Sequence, residues 1–210
     1  MKESPIIFNT EMVQAILSGR KSQTRRILKK IPRLSDNINQ TAKYLIADKE
    51  LREIKSPFGK PGDLIWVRET FMKSPNADLG SNQFRFKATV SNQYFKPWAK
   101  SWKPSIHMPK IAARIWLKVK DVKVERLNEI KKEDAINEGI QMASDFEANQ
   151  KHPYYYFYPC NDLRDDTYID DPRTSFYSLW RTIHGEDSWQ ENPWVWVVEF
   201  EVISIDGKPE

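Results

Sequence analysis

"RIWLKVKDVKVERL", Arg114–Leu127, alternates apolar and charged residues, the period of a half-buried β-strand, with a bend expected near Asp121. Reading outward, "FRFKATV", Phe84–Val90, alternates in the same way. "FGKPGDLIWVRETF" puts a turn at Pro61-Gly62-Asp63 in front of a strand from Leu64 to Glu69. "WVWVVEFEVISI", Trp194–Ile205, reads as a final strand, and a hairpin fits around Lys43–Ile54. Three short helices punctuate these strands. The first has Thr10 as its candidate N-cap, Met12, Val13, Ile16 and Leu17 on one face, and Gly19 as its stop. The second covers about Lys131–Glu138 and ends at Gly139. The third starts at Asp171 with Pro172 in its first turn, carries Phe176, Leu179, Trp180 and Ile183 as a stripe, and ends at Gly185. Five or more strands without long crossovers predict an α+β, mostly β architecture, a small and largely antiparallel barrel.

The chain has 210 residues, 33 Lys and Arg against 29 Asp and Glu, and a pI of about 9.0. A net charge of +4 favours a polyanionic partner, and eight Trp, eight Tyr and ten Phe supply rings for either a core or base stacking. Cys160 is the only cysteine, so no internal disulfide forms, and a reducing, cytoplasmic setting is expected. His107, His152 and His184 lack metal-ligand spacing, so neither a metal nor an organic cofactor is expected. The amino-terminal "MKESPIIF" has no apolar signal core, and no stretch reaches membrane-spanning length, so no membrane association is expected.

The candidate chemistry gathers in "GRKSQTRR", Gly19–Arg26, which places four cations in eight residues. If Arg20, Arg25 and Arg26 crowd Lys21, like charge and burial disfavour its ammonium form, and a neutral lysine is a general base. Thr24 offers a hydroxyl three residues on. The same octet also reads as a solvated or phosphate-binding turn, in which a turn lysine contributes little to the core. Glu138 sits where the helix dipole disfavours an anion, a cost that a nearby lysine offsets. Glu69 ends its strand with Arg68 or a loop arginine as the expected partner. "KPWAKSWKPSIHMPKIAARI", Lys96–Ile115, brings Trp98, Trp102 and His107 into an extended loop, where they either line a base-binding pocket or plug a barrel end. The run Tyr154–Tyr158 lies in a polar and aromatic insertion at about 143–170, a lid, a stacking surface or a site for a protein partner.

These pieces resemble a known family. "ILSGRKSQTRR", "GKPGDLIWVRE", "KEDAINEGI" and "NPWVWVVEFEV", in this order, are similar to the motifs of ASCH domains, which are PUA-like β-barrels. The long form, with "PSIHMPKIAARI", is most similar to ASCH proteins carried by phages and prophages. The resemblance implies a single domain over 1–210 with short helices and insertions at about 29–56, 73–110 and 141–172. Small bacterial members are N4-acetylcytidine amidohydrolases that use a lysine, a threonine and a glutamate; Lys21, Thr24 and Glu138 match those positions. Other members are linked to RNA binding or cleavage. Ser22, where a threonine is usual, and the insertions depart from the small hydrolases. The expectation is a nucleoside-, nucleobase- or RNA-binding protein, with amide hydrolysis of an N4-acylated cytosine as the enzymatic form. Lys21, Thr24 and Glu138 would be catalytic, and Arg20, Arg25, Arg26, Glu69, Trp98, Trp102 and His107 would bind substrate. The alternative is a binding module without turnover, or a phage accessory protein.

Overall fold

A computed structural model describes residues 1–29, 44–47, 50–53, 55–73, 83–90, 102–143, 154–156 and 171–209, with the backbone alone at 44–47, 50–53, 141–143 and 154–156. In chain order the elements are β1 (Glu3–Ile7), α1 (Thr10–Leu17), β2 (Gln23–Ile27), β3 (Tyr44–Ala47), β4 (Glu50–Glu53), β5 (Leu64–Arg68), β6 (Phe71–Lys73) and β7 (Phe84–Phe86). They continue with β8 (Trp116–Arg126), α2 (Lys132–Asn137), β9 (Gln141–Ala143), β10 (Tyr154–Tyr156), α3 (Pro172–His184) and β11 (Trp194–Ser204). The architecture is mixed α and β. A five-stranded sheet has the order β1-β5-β8-β11-β2, and three two-stranded sheets pair β3 with β4, β6 with β7, and β9 with β10. β1 runs parallel to β5, a departure from the largely antiparallel expectation, and no pairing joins β1 to β2 among the described residues. The chain forms two compact units: Met1–Gly19, Pro57–Lys120 and Phe200–Glu210 make the first, and Arg20–Ser56 with Asp121–Glu199 the second.

The first unit is built on β5. Its first four residues are all buried, the pattern of a strand covered on both faces. Leu64, Trp66, Phe71, Met108, Ala112, Ala113 and Trp116 form its core, with Phe84, Phe86 and Ile203 packed at the edge. Asp63 ties down the preceding turn: its carboxylate accepts the backbone N–H of Lys2 at 2.8 Å and of Lys60 at 3.0 Å. Those two bonds, outweighing burial, hold its pKa below the ordinary aspartate value. α1 buries Val13, Ala15 and Ile16. Its cap is Asn9, not Thr10: the Asn9 side chain accepts the Met12 N–H at 2.8 Å, and Thr10 is the first helical residue. The alternation at Phe84–Val90 yields only three residues of strand. After Phe86 the Lys87 N–H turns to the Thr70 carbonyl at 2.9 Å, and Lys87–Thr89 closes as a 3-10 turn.

In the second unit β2 pairs antiparallel with the first half of β11, Ile27 opposite Val195 and Gln23 opposite Glu199. α3 has the expected limits. Asp171 caps it by accepting the Arg173 N–H at 2.9 Å, Phe176, Leu179 and Trp180 are buried, and Gly185 ends it at φ 97°. Ile183, expected on the buried stripe, is 45% exposed, and the buried residues of the helix end at Trp180. α3 packs on α2, and α2 packs on β2, which carries the second half of the basic octet.

Candidate functional site

Gly19, at φ 74°, ends the turn after α1, and Arg20–Ser22 lead from it into β2. Lys21 forms an isolated antiparallel bridge with Glu138, and the Ser22 N–H donates to the Asn137 carbonyl at 2.9 Å. This backbone contact lays the end of α2 against the basic octet. Glu138 is the C-cap of α2, where the helix carbonyls are without intrahelical donors. Lys21 supplies a cation there. Its Nζ donates to the Glu138 carbonyl at 2.7 Å and to the Glu138 Oε2 at 2.8 Å. Both groups are buried, Lys21 at 1% exposure and Glu138 at 3%.

A second cation grips the same carboxylate. Arg25 Nη1 donates to Glu138 Oε1 at 3.2 Å and to Gln23 Oε1 at 2.8 Å. Its Nε and Nη2 donate to Glu125 Oε1 at 3.0 and 2.5 Å, and Nη2 lies 3.2 Å from Asp134 Oδ2. Burial works against the Arg25 charge, but Glu138, Glu125 and Asp134 outweigh it and raise its pKa. Gln23 Nε2 extends the network to Asp134 and Glu199, each at 3.3 Å. Asp134 is held below the ordinary aspartate value, since Arg25, Gln23 and the Lys131 N–H outweigh its partial burial.

Lys21 is shifted the other way. Burial lowers its pKa from the ordinary lysine value; Glu138 opposes the shift, and Arg26 and Arg25 reinforce it. Arg26 is half-buried on the next strand position, and burial depresses its pKa while Glu138 counters. His184 on α3 is held below the ordinary histidine value by burial, Arg26 and Lys29. Thr24 is 2% exposed and pairs with Val198 across β2 and β11. Strand alternation puts it on the Arg26 side, opposite Gln23 and Arg25. The hydrogen bonds of the cluster run from Lys21 through Glu138 and Arg25 to Glu125 and do not include the Thr24 hydroxyl.

Of the sequence candidates, the structure therefore brings Lys21, Glu138 and Arg25 into contact and places Thr24 and Arg26 beside them on β2. Two expectations change. Lys21 is an interior residue, because Glu138 and the end of α2 cover it. Arg25 is enclosed by carboxylates and so is not a phosphate-facing arginine. Arg20 is half-buried at the start of the second unit. Glu69 belongs to a different cluster, in the first unit. It is buried just past β5 and accepts two hydrogen bonds from Arg114, Nε to Oε1 at 2.9 Å and Nη2 to Oε2 at 3.0 Å. Its pKa is raised, since burial outweighs Arg114. Arg68, the neighbour considered as its partner, donates instead to the Ile106 carbonyl. His107 is exposed on a 3-10 turn and Trp102 half-buried, both in the first unit; Trp98 and most of the 143–170 insertion lie outside the described residues. Sequence reading missed Glu125, Asp134, Gln23 and Arg114. The strand alternation around Glu125 and the first-turn position of Asp134 were visible, but nothing local pointed either acid at Arg25.

Among the described residues no group of three or more His, Cys, Asp or Glu is arranged to hold a metal ion, and no helix is long and apolar enough to cross a membrane. Comparison with protein-family models, curated proteins and solved structures finds no match for this chain.

Proposed function

We propose that this chain is an ASCH-type, PUA-like barrel protein that binds a cytosine nucleoside, free or within RNA, and hydrolyses an acyl amide at its N4 position. The observation that carries the reading is the buried Lys21–Glu138 contact at 2.8 Å, joined to a lysine whose proton affinity burial lowers. A neutral Lys21 Nζ takes a proton from water, and the water oxygen attacks the acyl carbon. The carbon–nitrogen bond then breaks, and Lys21 returns the proton to the departing N4 amine. The products are a carboxylic acid and the free cytosine. Glu138 orients Nζ and stabilises the transient ammonium. Arg26 stabilises the oxyanion, and Thr24, on the same side of β2, positions the attacking water or the substrate carbonyl.

The test is release of acid from N4-acetylcytidine by the full chain and by Lys21→Met, which keeps the side-chain volume. Loss of about a hundred- to ten-thousand-fold in kcat/KM with an unchanged circular dichroism spectrum is expected. Equal rates in the two proteins would overturn the reading. A second reading has its own support: Lys21 is enclosed and Glu138 is satisfied by two cations, the arrangement of a structural ion cluster. On that reading the chain binds RNA or a modified base without turnover, and wild type and Lys21→Met both lack hydrolysis while retaining binding.

A further inference from the structure

We infer a second ligand site, in the first unit, that takes a purine base through the fork of Arg114. A cavity of about 760 Å³ opens there, lined among others by Phe84, Arg85, Phe86, Ile111, Arg114 and Ile205. That volume is within the range of small-molecule pockets, roughly 300–1,000 Å³. One wall is held rigid. Glu69, at 1% exposure, takes the Nε and Nη2 hydrogens of Arg114, and the Arg114 guanidinium lies 4.3 Å from the centroid of Phe86. A guanidinium has five N–H donors, and this grip uses the side edge. The end edge, Nη1 with the outer Nη2 hydrogen, makes no hydrogen bond among the described residues.

Glu69 already balances the Arg114 charge, so this edge recognises geometry more than charge. It suits a pair of coplanar acceptors, as a ring carbonyl and ring nitrogen of a purine present. Arg85 adds a second guanidinium to the lining, and Asp206 stands on the same cavity. Ile111 at 86% exposure and Ile205 at 47% give the cavity an apolar rim for the flat ring. Sequence reading assigned Glu69 to binding; its place here is to position Arg114.

The experiment is calorimetric titration of the full chain with each of the four nucleoside 5′-monophosphates and with a short 5′-phosphorylated single-stranded RNA. Ile205→Trp fills the rim, Arg85→Ala removes the second cation, and Arg114→Lys keeps charge but loses the fork. Each is expected to weaken binding about tenfold or more, that is about 1.4 kcal/mol, while Ile183→Ala, exposed on α3 in the second unit, leaves it unchanged. Ile205→Trp and Arg85→Ala keep the test valid if Arg114→Lys unfolds. Binding of mononucleotides assigns the site to free ligand, and binding of RNA alone assigns it to a strand end; either upholds the site if the variants weaken it. Failure of every ligand to bind, or binding indifferent to all three variants, would overturn it. The three variants lie in the first unit and Lys21 in the second, so failure here leaves the hydrolase reading, tested by acid release, standing.

Discussion

An ammonium ion removed from water must be matched by an anion or give up its proton, and the surroundings of Lys21 press in both directions. Glu138 favours the charge, while burial, Arg26 and Arg25 oppose it, and the net displacement is downward. The consequence for stability has a definite sign. Between the depressed folded value and the ordinary value of 10.5 the unfolded chain binds more protons, so stability rises with pH across that window. Urea denaturation from neutral to alkaline pH is expected to show this rise in wild type and its loss in Lys21→Met. Glu138→Ala is the harsher change. It removes the one carboxylate that Lys21 and Arg25 share, leaving buried positive charge with less to balance it, and is expected to cost on the order of 3–5 kcal/mol by the same denaturation assay. Glu138→Gln, which keeps an acceptor oxygen, is expected to cost less.

The turn before β5 shows how local chemistry fixes an element. Gly59 at φ 98° and Gly62 at φ 91° both occupy the left-handed region, but only at Gly59 would a Cβ collide, 2.8 Å from the Cβ and Oδ2 of Asp63. Gly62→Ala is therefore expected to cost about 1–2 kcal/mol from backbone strain alone. Gly59→Ala is expected to cost more and also to release Asp63 from the Lys2 and Lys60 N–H groups, read as a lower thermal midpoint. Features of this kind were legible in the sequence: the Pro-Gly-Asp turn, the Asp171-Pro172 start and Gly185 end of α3, and the strand at Trp194. Each rests on residues adjacent in the chain. What escaped depends on partners far away in sequence. β7 stops early because of the Thr70 carbonyl, Arg25 is claimed by Glu125 across 100 residues, and Glu69 by Arg114 across 45. Lys21 and Glu138 could be singled out individually, but that α2 covers Lys21 and makes it an interior residue was not readable from a turn motif.

At the scale of the molecule the net charge of +4 predicts weak, salt-sensitive binding of single-stranded RNA. Since Arg25 is committed to carboxylates, the double variant Arg20→Ala, Arg26→Ala is expected to flatten the dependence of log K on log salt by about one to two units, whereas Arg25→Ala acts through stability. Fluorescence anisotropy across a salt series measures both. The order β1-β5-β8-β11-β2 also governs when the molecule can exist during its synthesis. β1 finds its partner only after Leu64–Arg68 has been made, and β2 waits for Trp194–Ser204, more than 160 residues further on. The strand that bears Thr24, Arg25 and Arg26 is thus made well before the neighbour it pairs with. Its charged residues keep it solvated through that interval, and refolding from denaturant is expected on the slow, roughly millisecond-to-second side that non-local pairing imposes.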